Sequence, residues 1–100
     1  MKITETLAKM EIPCVYSHSK NGLKTPYIAY IGSGQNQFKA DNHRYNHSNT
    51  YQVEYYFKTK NEELESSIEE IIDGDGWQFE KSEDIFIEDE NVFLIYYYLS

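Results

Sequence analysis

A chain of 100 residues is expected to form one domain, and by surface-to-volume scaling it buries only about 60–65% of the surface that its unfolded form exposes. Hydrophobic residues make up 40% of the chain and aromatic residues 16%, which excludes disorder along the whole chain. The net charge of -8 is uneven: residues 1–60 carry eight Lys or Arg and four Asp or Glu, whereas residues 61–100 carry one Lys and thirteen acids.

The chain opens with an amphipathic pattern. Ile3, Leu7 and Met10 recur at helical spacing and Pro13 stops the pattern, so a short N-terminal helix is predicted. Polar residues interrupt the apolar stretch that a signal peptide would need, and no later run reaches membrane-spanning length. We therefore expect a protein of the cytoplasm, not of the membrane, with one cysteine, Cys14, that forms no internal disulfide.

Extended segments follow this helix. Residues 14–16 predict a brief strand, and the bulky residues 27–31 predict a second one. Residues 32–36 are expected to break that strand, and residues 38–40 to begin the return strand of a hairpin. Residues 41–49 are polar and predict a loop.

A strand and a helix are predicted in the middle of the chain. From Tyr51 to Lys58 apolar residues alternate with more polar ones, the period of a strand with one face on the core. Ile and Leu side chains then recur at helical spacing between Asn61 and Asp73. Gly74 is expected to end this helix.

Three more extended segments close the chain, over residues 77–81, 85–88 and 92–99. The last is apolar on both faces, which predicts a strand in the middle of a sheet. Short connections favour an antiparallel meander among these segments. The sequence thus predicts a single α+β domain with a mainly antiparallel sheet of four or five strands and two helices packed on one face.

Several short motifs begin like ligand sites but lack required residues. The Gly-Ser-Gly of residues 32–34 has no third glycine and no following helix, so it predicts a turn, not a phosphate loop. The Asp-Gly-Asp-Gly of residues 73–76 meets Trp77 where calcium needs an oxygen ligand. His43 and His47 in an extended segment lie roughly 13 Å apart, too far for one zinc ion. We expect no metal and no cofactor.

Catalytic pairs are not evident either. Cys14 and His18 would be a thiol and its base, but an extended segment separates them and no third group orients them. The carboxylates of residues 62–90 occur in runs that predict solvated positions, not an apolar pocket that would shift their pKa values. We expect a protein that is not an enzyme.

Two classes of function remain: a subunit that assembles with other protein subunits, and a nucleic-acid-binding module. Cations interleave with aromatic residues in the first sixty positions, an arrangement that can follow a phosphate backbone and stack bases. The chain as a whole is acidic, and its long-range field repels phosphate, which favours assembly over this alternative. The residues concerned are Lys20, Lys24, Lys39, Arg44, Lys58, Lys60, Tyr27, Tyr30, Phe38 and Tyr45.

Two features favour assembly with other subunits. The opposite charges of the two halves favour head-to-tail contact between copies, which closes a ring when the rotation permits; ordinary mixed surface charge is the alternative. Ten tyrosines suit subunit interfaces or the half-exposed faces of a small sheet.

The order and spacing of several blocks over residues 12–99 carry a family resemblance. The blocks are Ile12 to His18, Tyr27 to Gly34, Phe38 to Asn42, Tyr51 to Tyr56, an acidic amphipathic helix, Phe79 to Glu83, and Ile87-Glu88 before the final strand. Together they resemble the small tail-completion proteins of long-tailed phages and prophages of Gram-positive bacteria, also called tail terminators or minor tail proteins. The resemblance is one of pattern and brings no catalytic residues.

The resemblance implies a structural subunit of a ring, typically of six copies, that caps the tail tube, stops its growth and presents the surface to which the head docks. The implied partners are other copies of the chain, the major tail protein and the head connector or neck proteins, with DNA passing through without specific binding. The implied location is the bacterial host cytoplasm during assembly, then the virion tail or neck. Head-tail joining or head-closure proteins of the same neck remain the alternative.

Partner contacts are expected mainly from two polar loops, residues 17–26 and 41–50, because loops on a rigid sheet commonly carry such contacts. Acids of the C-terminal half are expected to line the hole of the ring, so that DNA does not adhere. The candidate interface residues are His18, Lys20, Lys24, Arg44, Tyr45, His47 and Tyr56.

Overall fold

The computed structural model describes residues 2–16, 24–33 and 50–100. These ranges form a mixed six-stranded sheet and two α-helices, so the predicted α+β class is confirmed. The predicted return strand at residues 38–40 and the predicted loop at residues 41–49 lie outside the described ranges. In chain order the elements are α1 (Ile3–Leu7), β1 (Cys14–Tyr16), β2 (Tyr27–Ser33), β3 (Thr50–Phe57), α2 (Glu62–Gly74), β4 (Phe79–Lys81), β5 (Ile85–Ile87) and β6 (Val92–Leu99).

The sheet is mostly antiparallel, as predicted. β1 runs parallel to β2, and the four other described strand pairs are antiparallel. The order is β1-β2-β3-β6, with β4 and β5 both on the outer side of β6. The predicted count of four or five strands is wrong, and so is the meander, because β4 and β5 each pair with β6 and share one edge.

The strand β2 continues beyond the predicted break at Gly32. Gly32 lies opposite Tyr51 and Ser33 lies opposite Thr50, so the ladder with β3 holds both residues in the sheet. The side chain of Thr50 also donates a hydrogen bond to the carbonyl oxygen of Ser33. The small glycine therefore leaves the pairing intact.

The first helix is shorter than predicted, whereas the second ends at Gly74 as predicted. In α1 the last residue is Leu7, one turn before Met10. The side chain of Asn61 caps α2 by accepting a hydrogen bond from the backbone N–H of Leu64 at 3.0 Å. Gly74 is the last helical residue, and the left-handed turn comes at Gly76, whose φ is 92°.

Two clusters of buried residues lie on opposite faces of the sheet. Alternate strand residues point to opposite faces, and β2, β3 and β6 contribute buried residues to both clusters. Both helices contribute to the first cluster only, whose face we call the first face; the other is the second face. The buried residues of the first face are Ile3, Leu7, Ile28, Val53, Tyr55, Phe57, Ile68, Ile72, Ile95, Tyr97 and Leu99, and those of the second are Tyr27, Ala29, Tyr56, Val92 and Leu94.

The strand β6 holds the C-terminal half together. It lies between β3 and the β4–β5 edge and contributes buried residues to both faces, which confirms the predicted interior strand. Within the described ranges, neither helix is long and apolar enough to span a lipid bilayer.

Candidate functional site

Two of the seven candidate interface residues lie in the described ranges. Lys24 is exposed just before β2 and lines a shallow groove with Lys58 and Glu90 at one end of the sheet. Tyr56 is only 4% exposed. The remaining candidates, His18, Lys20, Arg44, Tyr45 and His47, lie outside the described residues.

The burial of Tyr56 corrects its predicted role as a surface contact. Its ring stacks on that of Tyr27 with 4.8 Å between centroids, and its hydroxyl donates a hydrogen bond to Oε1 of Glu54 at 2.7 Å. Burial and this bond to Glu54 raise the pKa of Tyr56. In the single chain Tyr56 therefore stabilises the second face and is not presented to a partner.

Glu54 is a buried carboxylate that the sequence did not reveal. It is 9% exposed, and it accepts hydrogen bonds from the hydroxyl of Tyr56 and from Nε2 of Gln52 at 2.9 Å. The signal was present in the alternation of β3, because Glu54 and Tyr56 fall on the same face. Buried carboxylates need such donors, since an unpaired one is costly to remove from water.

Glu65 is the second buried carboxylate, and it contradicts the expectation that all acids of residues 62–90 are solvated. It is 4% exposed, and it forms ion pairs with Lys60 at 2.8 Å and with Lys81 at 3.2 Å. The position follows from helix geometry: Glu65 precedes Ile68 by three residues and so lies beside the apolar stripe of α2. The two lysines compensate a charge that burial would otherwise make unfavourable.

The ion pairs around Glu65 extend to the strands. Lys81 also pairs with Glu69 at 2.7 Å, and Glu69 accepts a hydrogen bond from the hydroxyl of Tyr97 at 2.8 Å. Burial and the bond to Glu69 raise the pKa of Tyr97. The network therefore joins α2 to β4 and β6.

The hydroxyl of Tyr55 lies at the same end of the first face. It is buried and has no hydrogen-bond partner among the described residues. Burial, with the nearby charge of Glu65 adding to it and that of Lys60 opposing it, raises the pKa of Tyr55 to about 12.

A second polar cluster joins α1 to the end of α2. Thr6 is fully buried; its hydroxyl donates a hydrogen bond to Oδ2 of Asp75 at 2.8 Å and accepts one from the indole N–H of Trp77 at 2.9 Å. Lys9 forms an ion pair with Asp75. The hydrogen bonds from Lys9 and Thr6 hold the pKa of Asp75 below its usual value. We call Thr6, Lys9, Asp75 and Trp77 the clasp.

The structure also places some of the residues that the sequence analysis considered for catalysis or metal binding. Burial raises the pKa of the Cys14 thiol to about 11, which disfavours the nucleophilic thiolate, and His18 lies outside the described ranges. In residues 2–16, 24–33 and 50–100, no group of three His, Cys, Asp or Glu side chains is placed to hold a metal ion. Asp75, which belongs to the Asp-Gly-Asp-Gly motif of residues 73–76, is a member of the clasp.

Three of the cations and aromatics of the nucleic-acid alternative, Lys24, Lys58 and Tyr27, line one groove in the described ranges, together with the acid Glu90. Lys24 and Lys58 are exposed, but Lys60 is held by Glu65 and Asp84, and Tyr27 is buried under Tyr56. The hydrogen bond to Glu65 raises the pKa of Lys60 against the opposing effect of desolvation. Lys20, Lys39, Arg44, Phe38 and Tyr45 lie outside the described residues.

Exposed aromatic residues mark three surfaces. Tyr16 on β1 is 50% exposed, Phe86 on β5 is 48% exposed, and Tyr98 on β6 is 37% exposed. Large exposed aromatics are enriched where proteins meet partners. β1 and β5 are outermost strands among those described, so two of the three residues lie at opposite edges of the sheet.

No family model, curated protein or solved structure matches this chain. The functional argument therefore rests on the surfaces of the chain itself. Two of them stand out: the sheet edges, and the outer side of α2.

Proposed function

We propose that this chain is a structural assembly subunit, a tail terminator or tail-completion protein that forms a ring on a phage or prophage tail tube and docks the tail to the head. The observation that carries the proposal is the acidic outer side of α2. Glu62, Glu63, Glu70 and Asp73 are exposed there, and residues 62–74 contain no Lys or Arg.

An unneutralised acidic helix suits a channel through which DNA passes. Like charges repel phosphate, and the repulsion reaches about one Debye length, roughly 8 Å at physiological ionic strength. A ring with α2 facing its hole keeps the DNA from adhering to the wall. The basic residues of α2's neighbourhood, Lys60 and Lys81, are engaged with Glu65 and do not offset this charge.

The position of α2 on the sheet agrees with such a ring. α2 packs on the first face, between the two edges of the sheet, so copies joined edge to edge carry their helices on one side of the assembly. Six copies, as the family resemblance implies, would then place six acidic helices around one axis. The major tail protein and the head connector are the proposed partners at the two ends.

Electron microscopy of particles made without the gene tests this proposal. Deletion is expected to give tails of uncontrolled, excessive length. Tails of normal length lying apart from filled heads would place the protein at the head-tail joint, which is the alternative role in the same neck. Intact infectious particles would overturn the virion role, and tight DNA binding in a low-salt filter assay would then favour the nucleic-acid alternative.

Complementation with charge variants tests the acidic helix itself. Glu63→Lys with Glu70→Lys reverses two exposed acids on α2, and we expect lower infectious titre with DNA retained in the neck. Glu5→Lys with Glu11→Lys makes the same change in net charge at exposed sites off α2, and wild-type titre is expected. Equal titres from the two variants would contradict the lumen role of α2.

A further inference from the structure

The two edges of the sheet carry strands of equal length. β1 spans Cys14–Tyr16 and β5 spans Ile85–Ile87, and each is outermost on its side among the described strands. An outermost strand presents backbone N–H and C=O groups that a strand of another chain can pair with. β5 shares its edge with β4 and does not pair with it.

At both edges of the sheet the aromatic side chain lies on the first face and aliphatic side chains lie on the second. Tyr16 lies edge-on to Tyr30, with centroids 5.5 Å apart, and Phe86 lies 5.0 Å from Phe93; both partners belong to the first face. Val15 on β1 and the isoleucines on either side of Phe86 belong to the second face. A shared sheet would therefore place Tyr16 beside Phe86 on one face and aliphatic residues together on the other.

The strand directions also match. β1 is parallel to β2, and three antiparallel pairings separate β2 from β5, so β5 runs opposite to β1. A second copy placed beside the first in the same orientation brings its β5 antiparallel to β1. Antiparallel pairs form the straighter hydrogen bonds of the two arrangements.

Charge differs between the possible contacts of the β5 edge. The exposed acids Glu88, Asp89 and Glu90 follow β5 directly, and the end of the sheet where β1 begins carries an exposed acid, Glu11, and an exposed lysine, Lys24, which lies near Glu90 of its own chain. A head-to-tail contact therefore meets mixed charge, and the case for it rests on strand direction and side-chain alternation. A symmetrical contact of two β5 strands instead brings those acids toward Glu83 and Asp84, which like-charge repulsion disfavours.

We propose that copies of this chain join head to tail by pairing β1 of one copy with β5 of the next, with Tyr16 and Phe86 packed side by side. The inference rests on the proposed function, because a ring requires a contact between two different surfaces of one chain. It adds the identity of those surfaces and continues one sheet from copy to copy.

Disulfide trapping tests the contact. All chains carry Cys14→Ala, which removes the native thiol; one chain adds Tyr16→Cys and a second, longer tagged chain adds Phe86→Cys. A disulfide forms only where two Cα atoms lie within about 7 Å. After mild oxidation of the mixture we expect the mixed dimer, which links one Tyr16→Cys chain to one Phe86→Cys chain, to exceed either like dimer, which links two identical chains, by about tenfold or more. In the proposed contact only the mixed pair of cysteines lies within that distance. The chain with both cysteines is expected to give a ladder of covalent oligomers.

Tyr98→Cys replaces Phe86→Cys in the matched control, because Tyr98 is exposed on β6 away from both edges. Only collisional levels of the mixed dimer are expected there. Circular dichroism checks that each variant is folded. A second experiment needs no cysteines: light scattering measures the oligomer size of Phe86→Asp and, as its control, of Tyr98→Asp. Loss of oligomer with the first and not with the second is expected.

The outcomes separate the contact from the function. Predominant like dimers, or no mixed dimer at any attainable concentration, would overturn the head-to-tail edge contact. Rings seen by electron microscopy without the mixed disulfide would overturn the contact and leave the ring proposal standing. A mixed disulfide together with intact particles after gene deletion would overturn the tail role and leave the contact standing.

Discussion

The two faces of the sheet each bury one glutamate, and they compensate its charge in different ways. On the first face Glu65 is paired with two lysines, Lys60 and Lys81. On the second face Glu54 accepts hydrogen bonds from the neutral donors Tyr56 and Gln52.

The difference follows from what surrounds each carboxylate. The lysines of the first face are 43% and 35% exposed, so their ammonium groups reach Glu65 from the rim and keep part of their hydration. The second face is lined by tyrosines, whose hydroxyls supply donors inside an otherwise apolar surface. Ammonium groups at the rim therefore compensate the buried carboxylate of the first face, whereas neutral hydrogen-bond donors compensate that of the second.

The largest effect is expected from opening a cavity in the first face. Ile68 is 1% exposed, and Ile68→Ala is expected to lower the free energy of unfolding by about 3–4 kcal/mol, because lost burial and an unfilled cavity add. Chemical denaturation followed by circular dichroism measures the change. Ile71→Ala, at a half-buried site of the same helix, should cost less than half as much. Equal losses would mean that α2 does not pack as described.

Removing both lysines tests how the first face compensates Glu65. Lys60→Met with Lys81→Met leaves a buried carboxylate without a cation, and we expect a loss of about 2–3 kcal/mol, below the usual cost because both lysines are partly exposed. Adding Glu65→Leu to that variant should restore most of the stability. If the triple variant is no more stable than the double one, the lysines act by packing and not through Glu65.

These contrasts also indicate what sequence can reveal. The alternation over residues 51–58 and the apolar stripe of α2 predicted β3 and α2 nearly to their ends, because period-2 and period-3.6 patterns record which side is buried. The same patterns placed Glu54 and Glu65 beside buried neighbours. The burial of Glu65 was missed because one of its partners, Lys81, comes from another element. Glu54 takes its partners Tyr56 and Gln52 from its own strand, so the alternation of β3 already carried that signal.

The pairing of strands that are distant along the chain was the other feature that the sequence did not predict. Residues 77–88 look like successive strands of a meander, but β4 and β5 are joined only through β6. Local sequence sets the extended conformation, whereas the choice of partner depends on the register of the whole sheet. The clasp was missed for the same reason, since Thr6 and Trp77 are 71 positions apart.

Neighbouring tyrosines on opposite faces give the sharpest comparison. Tyr56→Phe removes the donor to buried Glu54, and we expect a loss of about 2 kcal/mol, typical of a hydrogen bond to a charged group. Tyr55→Phe removes a buried hydroxyl that has no hydrogen-bond partner among the described residues, so it should be neutral or stabilising by about 1 kcal/mol. Thermal unfolding of both variants at pH 7 measures the difference. The reverse order of stability would refute the assignment of donors on both faces.

The smallest effect is expected at the clasp, and it should disappear in strong acid. The pKa of Asp75 is lower in the folded chain than in the unfolded one, so its carboxylate stabilises the fold above the unfolded pKa of about 4. That contribution is lost as the pH falls from about 4 through the folded pKa. Asp75→Asn should therefore lower the melting temperature at pH 7, and the gap to the wild type should close in strong acid.

Asp73→Asn makes the same charge change at an exposed site two residues earlier, so it separates the clasp from net charge. Melting temperatures between pH 6 and pH 2 provide the measurement for both variants. Wild-type behaviour is expected from Asp73→Asn, because the hydrogen bond from Thr6 and the ion pair with Lys9 belong to Asp75. A gap for Asp75→Asn that stays constant with pH would show that the clasp acts through its shape and not through the charge of its carboxylate.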